Sequence, residues 1–237
     1  MSSDTLGFQV ASEYEPPVLQ WLVQNLLLDG SLNLILGKPK VGKSRLTAGI
    51  VAALTKGINV GDCPGLTVQQ PHRVLWIGSD GGWKRQTQAT LRENNPTAAD
   101  QVYFPPTSMA EMGLTYSTAA PVSETNETWL REARRARNKA GVDVLIVDHL
   151  LGALGDRGVN EDTSVAPFLN TLTRIGEMGI TPIVLHHTSE KQFGNAEGSA
   201  MGHTLITAAA RQILFLRAKV SSKEHQEVLI RGNESPE

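Results

Sequence analysis

The stretch LNLILGKPKVGKS, residues 32–44, constrains the fold of this chain more than any other part of the sequence. Its apolar beginning predicts a short β-strand, its glycines predict a turn, and the residues from Arg45 to Leu54 predict a helix. Gly37, Gly42, Lys43 and Ser44 fit the G-x-x-x-x-G-K-[ST] pattern of a phosphate-binding P-loop. Because the strand and the helix supply the context that this pattern needs, the sequence predicts a nucleotide-binding α/β fold.

Each residue type in this loop has a chemical role beside a phosphate chain. The glycines let the backbone curl so that successive N–H groups point at the anion. Lys43 would place a positive charge on the β- and γ-phosphates of ATP, and the Ser44 hydroxyl would coordinate Mg²⁺. The helix that follows turns its positive end toward the same anion. The predicted nucleotide-binding residues are Gly37, Lys38, Pro39, Lys40, Val41, Gly42, Lys43, Ser44 and Arg45.

Length, charge and cysteine content narrow the class of protein. The chain has 237 residues and a net charge of −2, so a nucleic-acid partner would have to contact local loops or a channel built from several subunits. Cys63 is the only cysteine, which excludes an intramolecular disulfide and suits a reducing compartment. No secretory signal or membrane-spanning apolar run is visible, so we expect a cytoplasmic protein. We expect a flexible segment over residues 1–17 and a single domain over residues 18–237.

Strand and helix patterns alternate along the chain, which predicts a mostly parallel, doubly wound sheet with helices on both faces. The near-continuous apolar run Val142–Val147 is typical of a strand buried on both faces, and Ile180–Leu185 predicts another buried strand. A further strand is predicted at Arg73–Gly78. The last two strands, Gln212–Arg217 and Glu227–Ile230, are joined by a polar turn and predict an antiparallel pair at the C-terminal edge.

Two segments allow more than one interpretation. Val18–Leu28 has apolar residues at helical spacing, but it could also lie extended. A helix predicted at Glu124–Ala140 carries five basic residues, which could form a nucleic-acid-binding face. Interleaved acidic residues, such as Glu127 four positions before Arg131, favour a solvated helix surface instead.

Candidate functional residues follow the predicted strands, where ligands of open α/β sheets bind. Asp148 is predicted to hold Mg²⁺ opposite Ser44, with a helix- or turn-capping aspartate as the alternative. Asp80 is predicted to position or deprotonate the attacking water, with an Asx turn as the alternative. Of the adjacent His186 and His187 we favour His186 as a γ-phosphate sensor. A zinc site is disfavoured, because neighbouring residues on a strand point in opposite directions.

Taken in order, these motifs resemble the RecA/DnaB-like ATPases, and the resemblance is closest to the single-domain, RepA-type hexameric helicases. It rests on the P-loop stretch together with RVLWIGSD, VDVLIVDHLLGAL with the later NEDTS, IVLHHTS and AAARQILFLRA. The resemblance implies Mg²⁺-dependent ATP hydrolysis between subunits of a homo-oligomer, either a ring, expected to be a hexamer, or a filament. It also implies stimulation by single-stranded DNA held on two loops, which match residues 150–164 and 189–203 here.

Some positions depart from the family pattern. The catalytic carboxylate of the family is usually a glutamate, and Asp80 is one methylene shorter. The finger residue that family members supply to the neighbouring subunit would be Arg231, with Arg211 and Arg217 as rivals. From the resemblance as a whole we expect an ATP-hydrolysing motor that acts on single-stranded DNA, as a RepA-like ring helicase in DNA replication. Two alternatives remain, a recombination or strand-annealing ATPase and a regulatory ATPase that does not bind DNA.

Overall fold

A computed structural model describes residues 18–61, 63–79, 82–94, 97–157, 162–187, 204–218 and 226–232. The strands are β1 (Trp21–Val23), β2 (Leu27–Leu28), β3 (Asn33–Gly37), β4 (Val74–Gly78), β5 (Val102–Tyr103), β6 (Val144–Asp148), β7 (Thr181–His187), β8 (Gln212–Ala218) and β9 (Gln226–Gly232). The helices are α1 (Lys43–Lys56), α2 (Trp83–Asn94), α3 (Val122–Ala140), α4 (Leu150–Leu154), α5 (Asp162–Glu177) and α6 (Thr204–Ala209).

The main sheet has seven strands in the order β5-β4-β6-β7-β3-β8-β9. Every neighbouring pair is parallel except β8 and β9, which are antiparallel. This arrangement confirms the predicted α/β fold with an antiparallel pair at one edge. It is the fold of RecA-like proteins, and it brings the carboxyl ends of the parallel strands to one rim.

The strand that leads into the P-loop lies near the centre of the sheet, between β7 and β8. Every residue of β3 is buried. Leu34 and Leu36 face the layer that contains α3 and α5, while Ile35 faces the layer that contains α1. Burial on both faces requires the continuous apolar run seen in the sequence, because alternating polar residues would be desolvated on one face. The P-loop is thereby anchored to the most buried part of the fold.

The segment Val18–Leu28 is extended rather than helical over most of its length. β1 and β2 form an antiparallel ribbon, and Asn25 adopts a left-handed conformation in the turn between them. Asparagine tolerates this conformation better than most residues do, which favours a turn over a continuing helix. The apolar side chains Leu22, Val23 and Leu27 are buried beside α1 and β3.

The predicted loop 150–164 begins as a helix, which corrects the sequence interpretation. Residues 150–154 form α4, and a 3₁₀ turn follows at Gly155–Arg157. Leu150, Ala153 and Leu154 are fully buried in the core, and this packing stabilises a helix that its glycines alone would disfavour. Residues 158–161 and the whole predicted loop 189–203 lie outside the described residues.

The basic helix Glu124–Ala140 corresponds to α3, and its side chains interact locally. Arg131 and Arg135 both lie within 3.4 Å of the Glu132 carboxylate. Arg137 donates a hydrogen bond to the backbone carbonyl of Met178. These contacts fit the interpretation of a solvated helix surface. Within the part of the chain that the structure describes, no helix is both long and apolar enough to cross a bilayer.

Candidate functional site

A cleft of about 420 Å³ lies at the rim where the parallel strands end. It is formed by the P-loop, the first turns of α1 and α2, and the residues that end β6 and β7. The side chains and backbone that line it are those of Pro39, Lys40, Gly42, Lys43, Ser44, Arg45, Trp83, Gln86, Thr87, Thr90, Asp148, His149 and His187. The cleft therefore gathers the P-loop with Asp148, as the sequence predicted from their positions after strands.

The backbone of the P-loop explains why its residue types are restricted. A Cβ atom at Gly37 would lie 2.6 Å from the carbonyl oxygen of Leu216, so β8 leaves no room for a side chain there. Gly42 has φ 99° and Lys40 has φ 62°, so the chain turns sharply before α1 begins at Lys43. Gly42 itself has no side chain to cap α1, which leaves the helix dipole and first-turn N–H groups directed at the cleft.

Lys43 is buried, and its ammonium group is held by three neighbouring acceptors. Nζ lies 3.0 Å from the Gly37 carbonyl oxygen, 2.9 Å from that of Lys38 and 3.1 Å from His187 Nδ1. Burial lowers the pKa of Lys43 to about 8, and the negative charge of Asp148 opposes this shift. The Lys43 ammonium therefore lies beside the amino end of α1. Both the positive charge and the helix dipole favour an anion at this place.

The strand register separates the two adjacent histidines. His187 is the residue of β7 opposite Gly37, and it lines the cleft. His186 is opposite Leu36 and is fully buried. The prediction that His186 rather than His187 faces the phosphate site is therefore wrong in placement, since successive strand residues point to opposite sides.

His187 is neutral near physiological pH. Its pKa is lowered to about 4, first by burial and then by the positive charge of Lys43 and an electrostatic interaction with His149, although a hydrogen bond with the Gly37 backbone raises it. A neutral imidazole can accept a hydrogen bond at Nδ1, which suits the contact with the Lys43 ammonium. His187 therefore connects Lys43 to the end of β7.

His149 is a cleft residue that the sequence interpretation missed. Its ring lies 5.0 Å from the ring of His187, and its Nδ1 accepts a hydrogen bond from the Gly152 backbone at 3.3 Å. His149 thus caps the amino end of α4 while it lines the cleft. Its position directly after Asp148 was the only signal in the sequence, and that signal does not distinguish a ligand-facing side chain from a helix cap.

Ser44 and Asp148 line the cleft with oxygen atoms that would suit a magnesium ion. The Ser44 side chain is exposed in the first turn of α1, Asp148 ends β6, and both line the cleft. Among the described residues, no group of three His, Cys, Asp or Glu side chains could hold a metal. Mg²⁺ binds readily to one or two protein oxygens because substrate phosphates and waters complete its shell. The donor set therefore fits Mg²⁺ bound together with a nucleotide.

One face of α2 forms a wall of the cleft that the sequence analysis did not anticipate. Trp83, Gln86, Thr87 and Thr90 line the cleft, and their spacing places them on a single helix face. Thr87 is buried, and Gln86 is exposed. This face contains no charged residue, so nothing in the sequence indicated that it lines the cleft.

The remaining predicted residues are placed as follows. Asp80 lies outside the described residues, although Ser79 just before it donates a backbone hydrogen bond to the Asp148 carbonyl at 2.9 Å. Arg231 pairs with Ile213 in β9, near the amino ends of the parallel strands and away from the P-loop of its own chain. Arg217 lies one residue beyond the partner of Gly37, and it forms an ion pair with Glu227 at 2.8 Å.

The strand order and the P-loop cleft together define a P-loop ATPase with a RecA-like fold. The chain belongs to the AAA domain family AAA_25, which matches residues 5–192. A solved structure of a KaiC-like protein from the hyperthermophilic archaeon Pyrococcus horikoshii is similar in fold, with a TM-score of 0.56 and 16% sequence identity. That similarity covers 89% of this chain and 83% of the archaeal chain. No curated protein matches the sequence significantly.

Proposed function

We propose that the chain binds ATP with Mg²⁺ in the P-loop cleft and hydrolyses it as a motor that acts on single-stranded DNA, in the manner of RepA-type ring helicases. The observation that carries the ATPase part is the convergence of Lys43, Asp148 and His187 in one cleft at the amino end of α1. Membership of an ATPase family supports the same conclusion.

In the proposed mechanism, the protein works mainly by position and charge, as is general for phosphoryl transfer. The N–H groups of the P-loop and the Lys43 ammonium hold the β- and γ-phosphates. Ser44 and Asp148 would hold Mg²⁺, which supplies neutralisation of the charge that develops on the phosphate oxygens. Asp80 would orient the attacking water, and His187 would report the presence of the γ-phosphate.

The step from ATPase to motor is supported by the way α4 joins the cleft. Asp148 and His149 line the cleft, and α4 begins at the next residue, so the predicted DNA loop 150–164 is continuous with the phosphate site. A change in the contacts of His149 with His187 would act directly on α4. Such a connection is what nucleotide-dependent movement of a loop requires.

One observation favours a regulatory ATPase that does not bind DNA as a second candidate. Arg157 donates hydrogen bonds to the backbone carbonyls of Ser117 and Ala120 at 2.9 and 3.0 Å. A guanidinium that is engaged in this way is directed at its own chain, not at a phosphate backbone. The predicted DNA loop 150–164 then has no other arginine or lysine.

The test is ATP turnover with and without single-stranded DNA for the parent and for Lys43→Ala and Asp80→Ala, with particle mass recorded in ATP. Lys56→Ala, at the exposed far end of α1, is the matched control and should behave as the parent. Lys43→Ala should abolish turnover. Asp80→Ala should keep nucleotide binding and lose at least about a hundredfold in rate, as expected for a lost water-orienting group.

The DNA dependence separates the candidate functions. Turnover that rises with DNA, in closed rings that unwind a duplex, supports the motor. Filaments that anneal strands without unwinding support the recombination alternative, and turnover that DNA leaves unchanged supports the regulatory ATPase. Normal hydrolysis by Asp80→Ala would remove that carboxylate from the mechanism.

A further inference from the structure

The face of α2 that lines the nucleotide cleft carries a polar side chain that is free to bind a ligand. The hydroxyl of Thr90 donates a hydrogen bond to the backbone carbonyl of Gln86 at 3.1 Å, and Thr87 is buried. The side chain of Gln86 is exposed and lines the cleft, and no group of the described residues forms a hydrogen bond with its amide. The Gln86 amide is therefore available to a molecule in the cleft.

The start of α2 is anchored, which holds this amide in a defined place. Trp83 is only 7% exposed, and its ring packs edge-on against Phe104 with the ring centroids 5.1 Å apart. The next residue, Lys84, donates hydrogen bonds to the backbone carbonyls of Pro105 and Pro106. A functional group on an anchored helix is positioned more precisely than one on a loop.

Along the rim of the sheet, α2 lies beyond Asp148 when viewed from the P-loop. The P-loop follows β3, and the next strands on this side are β7, β6 and β4 in turn. His187 ends β7, Asp148 ends β6, and α2 follows β4. On the other side of β3, none of the described residues of β8 lines the cleft. The cleft therefore extends from the P-loop past Asp148 to α2.

In the proposed mechanism, this direction leads from the β-phosphate to the γ-phosphate and beyond it. The P-loop would hold the β-phosphate beside the amino end of α1, and Mg²⁺ held by Ser44 and Asp148 would bridge the two phosphates. The attacking and leaving oxygens lie roughly in line, so the water attacks from the side opposite the bridging oxygen. In this cleft, α2 forms the wall on that side.

A glutamine has the chemistry that this place requires. Its amide oxygen can accept a hydrogen bond from a water molecule while its amide nitrogen donates one. Glutamine is one of the residue types that orient the attacking water in phosphoryl transfer. Because the amide is neutral, it does not repel the γ-phosphate as a further carboxylate beside Asp148 would. The Gln86 amide can therefore bind the water next to the phosphate.

We propose that Gln86 is a catalytic residue that binds the attacking water, with its amide oxygen accepting a hydrogen bond from that water. A bond forms between the water oxygen and the γ-phosphorus, the bond from this phosphorus to the bridging oxygen breaks, and ADP leaves with the electron pair. The water protons leave with the phosphate product. This inference rests on the proposed ATPase function, to which it adds a contact for the water besides that of Asp80.

The test compares Gln86→Leu with the parent in the full-length chain. Leucine is similar in size but forms no hydrogen bond, and position 86 is exposed, so the variant should unfold at the same urea concentration as the parent. Its kcat should fall at least about tenfold, as expected for a lost contact with the attacking water. Gln88→Leu, at an exposed position of α2 outside the cleft, is the matched control and should keep the parental turnover.

Two nucleotide analogues separate a contact with the water from a contact with the nucleotide. ADP with beryllium fluoride resembles the bound substrate, and ADP with aluminium fluoride resembles the transition state. Since Trp83, Thr87 and Thr90 remain in place, the affinity of Gln86→Leu for the beryllium fluoride complex should stay within about twofold of the parental value. Its affinity for the aluminium fluoride complex should fall at least about tenfold, in parallel with kcat.

Three other results would overturn the inference, and they can be told apart. An active parent with an equally active Gln86→Leu variant would remove Gln86 from the reaction and leave the proposed ATPase function intact. An equal loss of affinity for both analogues would assign Gln86 to nucleotide binding instead. A parent that does not hydrolyse ATP would contradict the proposed function itself, and the role of Gln86 would fall with it.

Discussion

Lys43 is the residue to which the proposed mechanism assigns the contact with the nucleotide phosphates, and its pKa is shifted by its surroundings. Its ammonium lies among two backbone carbonyls and His187 Nδ1, inside the rim of the sheet. Burial lowers its pKa to about 8, so the lysine is charged at neutral pH but close to titration. A bound phosphate favours the charged form, which means that binding raises this pKa and takes up a proton.

The affinity for ATP should therefore fall at alkaline pH. Below about pH 8 the lysine is already protonated, and affinity should be nearly constant. Above about pH 8, the affinity should fall by up to about tenfold per pH unit. This fall should end at the higher pKa that Lys43 has when the nucleotide is bound. Titration calorimetry with a non-hydrolysable ATP analogue from pH 7 to 10 measures this dependence. Lys43→Arg is the control, because arginine stays charged over the whole range. If the affinity of the parent depends on pH as little as that of this variant, the prediction is contradicted.

Substitution of His187 should lower turnover, whereas substitution of His186 should lower stability. His187→Ala removes an acceptor of the Lys43 ammonium at a half-buried site, so turnover should fall at least about tenfold with little change in stability. His186→Ala empties a fully buried position, and the free energy of unfolding should fall by about 2–4 kcal/mol. Turnover and urea unfolding of both variants test this. A stable His186→Ala protein that has lost turnover, beside an active His187→Ala protein, would reverse the assignment.

At the scale of elements, the cleft depends on how closely α2 packs against the end of β4. Gly78 is the last residue of β4 and pairs with Asp148, and the ring of Trp83 occupies the place where its side chain would be. Trp83 begins α2, so this contact sets the distance between the α2 wall and the Asp148 carboxylate. The glycine is thus required for packing, although it lies beside the functional residues.

Gly78→Ala should push α2 away from the sheet. The added methyl group overlaps the indole ring, so the free energy of unfolding should fall by about 1–3 kcal/mol. Nucleotide affinity should fall as well, because Gln86, Thr87 and Thr90 move with α2. Gly65→Ala, where nothing lies within 4 Å of the added Cβ, is the matched control and should match the parent. Urea unfolding and analogue binding measure both effects; parental affinity in a destabilised Gly78→Ala protein would separate α2 from the site.

Secondary-structure elements that are determined by their own residues could be predicted from the sequence. The strand, loop and helix around Lys43 have a pattern that chemistry restricts, and the bounds of α2 follow from its helical composition. The helix α4 was missed because its stability comes from burial of Leu150 and Leu154 in the core, which no local pattern records. The choice between His186 and His187 failed for a related reason, since it depends on the register of β7 against β3.

At the scale of the whole molecule, the antiparallel edge of the sheet is the surface that another copy could cover. β9 is an edge strand, and Val228, Leu229 and Ile230 are 37%, 37% and 47% exposed. Exposed apolar edge strands favour pairing or association with another chain. Arg231 lies next to these residues and far from the P-loop of its own chain. If it acts in catalysis, it acts on the site of a neighbouring subunit.

This arrangement can be tested by mixing two inactive variants. Arg231→Ala keeps an intact P-loop, and Lys43→Ala keeps an intact Arg231, so a head-to-tail assembly would combine them into working sites. For random mixing in equal amounts, a site works when its own P-loop and its neighbour's arginine are both intact, which gives about a quarter of the parental turnover per chain. Arg217→Ala is the matched control, because that guanidinium is paired with Glu227, and it should remain active alone. Turnover of the mixture equal to the average of the two separate variants would show that each chain completes its own site, and the assignment of Arg231 to a neighbour would then fail.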